Sequence, residues 1–352
     1  MFRRLERTHP LPSIADRFGI RGREQVLRDL GTVASHLLRL PTVVRDGVPA
    51  AGGDRFAVGI SSAGLLRPDL ALPAYAGLVP SDGISPVFNF FDRVGGGRGY
   101  RAAVTRRTAR DWRGGRLTYD EHDGTDLVCP PGTPLVVAAP GVVVATRDDW
   151  LRGGLTAIVD HGSGVVTQYT HLSVMVAEVG QTLARGETVA LSGASGLDMT
   201  HAFPLVPPHI HFMVWIDGTP VDPFRAPGEA LRPGLWMHGN APEAAAGPLT
   251  GDPAPPRIAD IAVADGAIER LLALCKAASI RAEVDRAPSD AARVAICEDS
   301  LHHQRWAWPA SVGDRALRPR ADAARVRLTL PLPASIYRGI RAADAPWTRP
   351  PS

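Results

Sequence analysis

The chain has little lysine, cysteine or aromatic residue, and each shortage narrows the class of protein. Lys276 is the single lysine, so the net charge of +3 comes from arginine, and no run of basic side chains marks a nucleic-acid surface. Aromatic residues make up 6% of the chain, which is few for a protein that stacks on nucleic-acid bases. The three cysteines, Cys129, Cys275 and Cys297, give no fully paired disulfide framework. We therefore expect no nucleic-acid partner, and the redox compartment stays open.

Long hydrophobic runs are also missing. The longest apolar stretch, from Pro134 to Ala145, is interrupted by Pro140 and Gly141 and is too short to span a bilayer. The first residues are basic but are not followed by the apolar core of a standard secretory signal. We therefore expect no transmembrane segment. The sequence leaves the oligomeric state open.

The composition that remains is that of a globular protein rich in turns and strands. Apolar residues make up 45% of 352, with 36 glycines and 32 prolines, which favours strands over a helical bundle. We predict four regions: an N-terminal extension over 1–85 with one amphipathic helix from Arg23 to Leu40, a β-rich domain over 86–238, a linker rich in proline, glycine and alanine over 239–256, and a small α/β region of unknown role over 257–352.

Short apolar runs separated by glycine turns fill the central domain and predict antiparallel strands. In the last region, Val294–Cys297 suggests a strand, and the alternation over Arg325–Leu330 is typical of a half-buried strand. The predicted fold class is therefore α+β, with mainly antiparallel β-structure.

A histidine pair marks the candidate site. If HIHFMV (209–214) is a strand, His209 and His211 point to the same face. Burying two imidazoles has a desolvation cost that a metal or a catalytic role would offset. His122 and Asp126 add a nitrogen and an oxygen donor from another segment, and catalytic zinc sites take three such ligands and leave one position open.

Read in order, several motifs resemble one enzyme family. These are HDGTDLVCPPGTPLVVAAPGVV, IVDHGSGVVTQYTHLS, GASG and PHIHFMV, which lie between Pro86 and Phe224. Together they resemble the M23 zinc metallopeptidases, which include the lysostaphin- and LytM-like peptidoglycan endopeptidases. The resemblance implies an M23-type β-sheet catalytic domain and hydrolysis of a peptide bond in a peptidoglycan stem or cross-link. It also implies a place in the cell envelope or outside the cell.

The resemblance also implies roles for five residues. His122, Asp126 and His211 match the ligands of one Zn²⁺ ion, while His171 and His209 match histidines that assist catalysis. The chain has no HExxH helix, so the glutamate-base mechanism has no candidate. The connection over 197–208 is longer than is usual in the family and is expected to form a rim of the site that shapes the substrate class.

Two other functions stay open. One is a non-catalytic LytM-like regulator of a cell-wall amidase, although such a protein is expected to have lost ligands, and all five site residues are present. The other is a zinc peptidase with a substrate outside the wall, suggested by the missing signal and the unfamiliar flanking regions. We expect His161 and Cys129 to be structural. Whether the N-terminal extension or the rim covers the site is open.

Overall fold

The protein is represented by a computed structural model, which describes residues 1–24, 26–27, 66–89, 124–149, 153–196, 199, 203–216, 218–221, 223, 243–274, 278–302, 317–319 and 325–343. The predicted ligand His122 lies outside these residues, as do Cys275 and nearly all of the helix predicted from Arg23 to Leu40. No helix of the described part has the length and apolar character needed to cross a membrane.

Strands dominate this part of the chain. The strands are β1 Phe2–Arg4, β2 Leu78–Pro80, β3 Ile84–Asn89, β4 Thr125–Val128, β5 Pro134–Val136, β6 Gly141–Asp149, β7 Gly154–Asp160, β8 Val165–Met175, β9 Thr182–Leu183, β10 Thr188–Ser192, β11 His209–Ile216, β12 Thr219–Val221 and β13 Gly339–Ala342. The α-helices are α1 Ile14–Arg17, α2 Pro68–Tyr75, α3 Ala267–Leu274, α4 Ala278–Arg286 and α5 Asp290–His302, and a 3₁₀ turn covers Ile258–Asp260.

Most of the strands belong to one sheet, with the order β13-β3-β4-β11-β8-β7-β6-β9. Strand β10 pairs with β5 and β8, and β12 pairs with β11. The pairs are antiparallel except for β13 beside β3. The predicted class, α+β with mainly antiparallel strands, is confirmed.

The sheet buries both of its faces. Successive residues of a strand point to opposite faces, so Val143 lies in one hydrophobic core while Val142 and Val144 lie in the other. The first core also takes up side chains from the C-terminal segment between Val326 and Ile340. The second core is closed by α3, α4 and α5. Both faces of the sheet are thus covered by hydrophobic side chains.

Residues 290–302 correct one expectation. Val294–Cys297 was expected to be a strand but lies inside helix α5. The Ser289 hydroxyl caps this helix by accepting a hydrogen bond from the Ala292 amide at 3.1 Å. A run of four apolar residues is compatible with a strand and with a buried helical turn. The capping Ser289 was the sequence signal that indicated a helix.

The segment Arg325–Leu330 alternates as predicted but is not a strand. Val326, Leu328 and Leu330 are all buried. The backbone amides of Thr329 and Leu330 donate to two different segments, at Ala138 and Glu243. No regular ladder forms because the partners change from one residue to the next.

The flanking regions contact the β-rich region closely. The buried Arg185 guanidinium donates to both carboxylate oxygens of Asp252, at 2.6 and 2.8 Å, and to the Arg327 carbonyl at 2.8 Å. Burial opposes ionisation of Asp252, but the hydrogen bonds from Arg185 outweigh it and lower the pKa of that carboxyl. Asp252, which lies in the predicted linker, is therefore bonded to the β-rich region, while the division of the chain into four regions remains a prediction.

A buried charge cluster joins helix α5 to the sheet. Arg318 donates to Asp160 at 3.1 Å and to Glu298 at 2.7 Å, and all three side chains are at most 2% exposed. Burial on its own would lower the pKa of the Arg318 guanidinium, but the two carboxylates raise it above its usual value. Removal of one of these partners would leave a buried charge uncompensated, which strongly destabilises a protein.

Candidate active site

Two neighbouring strands bring the first pair of predicted site residues together. Asp126 of β4 and His211 of β11 are direct cross-strand partners. The His211 Nδ1 lies 2.8 Å from Asp126 Oδ1. The Asp126 side chain is 3% exposed and that of His211 is 13% exposed. At this separation the two atoms would share either a proton or a cation.

His209 lies on the same side of β11 as His211, as the two-residue spacing predicts. Its Nε2 lies 3.6 Å from Asp126 Oδ1, and its Nδ1 lies 2.8 Å from the Pro207 carbonyl oxygen. The Phe88 ring packs beside it, with ring centroids 4.8 Å apart. His209 is therefore buried and held from two sides.

His171 enters the cluster from β8, the other neighbour of β11. Its backbone has a positive φ of 63°, a strained conformation for a residue with a side chain. The amide donates to the Gly153 carbonyl, and the ring Nδ1 lies 2.8 Å from the Ser195 carbonyl oxygen. The ring centroid is 4.8 Å from that of His209 and 6.1 Å from that of His211. Asp126, His171, His209 and His211 thus form one cluster, named here the histidine–aspartate cluster.

Hydrogen bonds to carbonyls define the tautomers of two of these rings. A carbonyl oxygen can only accept, so Nδ1 of His171 carries a proton that it donates to Ser195. By the same reasoning, Nδ1 of His209 donates to Pro207. In the neutral rings, Nε2 therefore holds the lone pair. Each ring can take up a proton at Nε2 while the hydrogen bond from Nδ1 to the carbonyl maintains its orientation.

Gly124 is a site residue that the sequence did not single out. A Cβ added there would lie 2.7 Å from both Cε1 and Nε2 of His211, which is closer than side chains approach. A glycine between the two predicted ligands of HDGTD was the available signal. The carbonyls of Ser195 and Pro207 were also missed, and no signal could reveal them because every residue has a carbonyl.

The chemistry of the cluster fits a zinc ion. A carboxylate oxygen and an imidazole nitrogen that face each other are ligands that zinc prefers. Within the described residues, no three His, Cys, Asp or Glu side chains form a ready metal-binding group. A full set of zinc ligands needs a further donor. The sequence predicts His122 for this role, and that residue lies outside the part of the chain that the structure describes.

His161 and Cys129 have the surroundings of structural residues, as expected. His161 Nδ1 lies 3.0 Å from the Pro140 carbonyl oxygen, and its Nε2 lies 2.8 Å from the Thr167 hydroxyl. Burial lowers the pKa of His161 to about 4. Burial also raises the pKa of the Cys129 thiol to about 12, which keeps it protonated and unreactive.

Comparison with known proteins gives the family that this region is similar to. Residues 120–223 match the family model described as Peptidase family M23. This span contains every member of the histidine–aspartate cluster together with His122. The region that contains the histidine–aspartate cluster is therefore similar to the M23 family of peptidases.

Curated relatives align with the same region. The chain is 35% identical over 105 residues to "Peptidoglycan DD-endopeptidase ShyA" of Vibrio cholerae serotype O1, which is 30% of this chain and 23% of the relative. It is 32% identical over 108 residues to "DD-carboxypeptidase/endopeptidase Mpg" of Neisseria meningitidis serogroup B, again 30% and 23%. The chain thus spans less than a quarter of the length of these relatives.

Among solved structures, a "zinc containing peptidase" from Vibrio cholerae is 28% identical over 39% of each chain, with a TM-score of 0.27. A TM-score of this size is too low to support a conclusion about fold or function.

Proposed function

We propose that this chain is a zinc-dependent endopeptidase that hydrolyses peptide bonds in the stems or cross-links of peptidoglycan. The observation that carries the proposal is the convergence of Asp126 and His211, at 2.8 Å, with the rings of His171 and His209 beside them. The relatives named as peptidoglycan endopeptidases align over 105 residues of the chain, which supports the substrate class.

The zinc ligands in this proposal are His122, Asp126 and His211. A bound zinc ion supplies Lewis-acid polarisation of the scissile carbonyl and lowers the pKa of water. Asp126 has a second task, because its Oδ1 also lies within 3.6 Å of His209 Nε2 and so sets the electrostatic surroundings of that ring.

The two remaining histidines carry the proton transfers. Either His171 or His209 takes the proton of the attacking water at Nε2, where its lone pair lies. The charged imidazolium then stabilises the negative oxygen that develops on the substrate and returns the proton to the leaving amine. The Ser195 and Pro207 carbonyls keep Nδ1 protonated throughout, so each ring needs no rotation between these steps.

Digestion of purified peptidoglycan tests the proposal. We expect the full chain to release peptide fragments with new amine and carboxyl ends, identified by mass spectrometry, and a chelator to stop the release. His171→Ala should abolish this release. His9→Ala is the control, because His9 forms an exposed hydrogen bond with its neighbour Thr8, and it should leave the release unchanged.

The same assay separates the alternative functions. A regulator of an amidase would release nothing alone but would raise the rate of an added amidase. A peptidase with a different substrate would leave peptidoglycan intact and cleave unrelated peptides in a chelator-sensitive way. Either result would contradict the proposed substrate.

A further inference from the structure

A short, fully capped helix near the N-terminus lies beside the candidate site. The Ser13 hydroxyl accepts the Asp16 amide at 3.1 Å and so caps the start of α1. At the other end, the Ile20 amide donates to the Ala15 carbonyl and the Gly19 amide to the Asp16 carbonyl, which is the Schellman arrangement with glycine in the left-handed conformation. We name residues 13–20 the capped turn. Both ends of this four-residue helix are therefore satisfied by hydrogen bonds within the capped turn itself.

The capped turn contacts the loop that orients His171. The Arg17 carbonyl accepts the Ala194 amide at 2.7 Å. Gly19, with φ at +68°, lies so close to Ser195 that an added Cβ would be 2.9 Å from the Ser195 Cβ. Gly154 approaches the same serine from another side, at 2.3 Å from an added Cβ to Oγ. Ser195, whose carbonyl accepts a hydrogen bond from His171 Nδ1, is thus enclosed between these two glycines.

Phe18, which lies between Arg17 and Gly19, packs against a second segment of the chain. The Phe18 ring meets the Phe203 ring edge to face, with centroids 5.2 Å apart, and Tyr75 of α2 packs on Phe203 at 4.9 Å. The Arg67 amide donates to the Leu205 carbonyl at 2.8 Å. These contacts hold the last part of the rim, residues 203–208, which ends immediately before His209.

One hydrophobic cluster includes both loops and reaches the site. Ala194 and Val206 are buried in it, Phe18 packs against it, and Phe88, whose ring contacts His209, belongs to it. Three consecutive residues of the capped turn, Arg17 to Gly19, therefore contact both segments that carry the orienting carbonyls.

We infer that the capped turn is a positioning element for both assisting histidines, acting on His171 through Ser195 and on His209 through the segment 203–208. This inference rests on the proposed function for its meaning in catalysis, but its geometry concerns the rings alone. Phe18 and Gly19 are positioning residues. Each acts on a different histidine, so their substitutions should have different effects.

Histidine-ring NMR on the full chain tests the inference without substrate. Long-range ¹H–¹⁵N spectra at mildly alkaline pH report which ring nitrogen carries the proton, and His171→Gln and His209→Gln identify the two signals. We expect both rings of the unmodified chain to be protonated at Nδ1. Phe18→Ala should convert His209 to a mixture of tautomers and leave His171 unchanged. Gly19→Ala should do the reverse, because its Cβ displaces Ser195.

Control and rescue variants separate positioning from folding. Phe18→Tyr keeps the ring and should keep the spectrum, and Ile14→Ala, at a residue of the same helix that is 65% exposed, should change nothing. If Phe18→Ala does not fold, Phe203→Leu removes the contact from the other side at a residue that is 50% exposed, and should alter His209 in the same way.

Kinetics give the second readout. On peptidoglycan fragments, Phe18→Ala should lower kcat about 10- to 100-fold with KM and zinc content unchanged, and Phe18→Tyr should restore kcat. Unchanged ring tautomers in both Phe18→Ala and Gly19→Ala would overturn the inference, as would equal changes of both rings in each variant. If the unmodified chain cleaves no peptide, the proposed function fails, and the ring spectra still decide the inference.

Discussion

Asp126 and His211 lie 85 positions apart in the chain, yet Oδ1 of one and Nδ1 of the other are 2.8 Å apart because β4 and β11 pair in register. The candidate metal site is therefore assembled by strand pairing, and a one-residue slip of β11 would turn both of its histidines to the opposite face. Metal binding and the pairing of these two strands should stabilise each other.

Gly124 provides a test of how closely this site is packed. We expect Gly124→Ala to weaken zinc binding about 10- to 100-fold, since the new Cβ would push the His211 ring away from Asp126. Competition with a chelator measures the affinity. Gly247→Ala is the matched control, because a Cβ there meets no atom within 4 Å. Equal affinities in the Gly124 variant and the unmodified chain would show that the ring does not have to stay in place.

The buried cluster around Arg318 predicts how strongly α5 is attached to the sheet. Arg318→Met leaves the carboxylates of Asp160 and Glu298 buried without their cation, so the free energy of unfolding should fall by about 3–5 kcal/mol. Denaturant titration gives this value. Arg257→Ala breaks only an exposed pair with Asp260 and should leave the stability unchanged. A loss for Arg318→Met of about 1 kcal/mol or less would mean that the cluster is solvated.

His161 predicts a loss of stability in mild acid. Its pKa is about 4 in the folded protein, against about 6.5 in an unfolded chain. Between these values the unfolded state binds a proton that the folded state does not, so stability falls as the pH falls. The effect should reach about 3 kcal/mol.

Comparison of the pH profiles of the unmodified chain and His161→Gln isolates this contribution. Both are measured by denaturant titration with chelator present, so that release of metal at low pH does not contribute. The variant should be less sensitive to pH over this window. Parallel profiles would indicate that the pKa of His161 does not differ between the folded and unfolded states.

Local sequence patterns predicted the parts of this protein that depend on short-range rules. The two-residue spacing of His209 and His211 predicted their common face, and glycine turns with apolar runs predicted the antiparallel sheet. The approach of Asp126 to His211 was implied by family resemblance, because strand order cannot be derived from spacing. The Ser195 and Pro207 carbonyls were beyond prediction because backbone groups carry no sequence signature.

Zinc content of purified variants tests the central claim most directly. The unmodified chain should hold one zinc ion, and Asp126→Ala and His211→Ala should each lose it. His171→Ala and His209→Ala should retain zinc and lose peptide hydrolysis, since their rings move protons and are not ligands. Equal loss of metal in all four variants, or full retention in His211→Ala, would contradict the assignment of ligands and proton carriers.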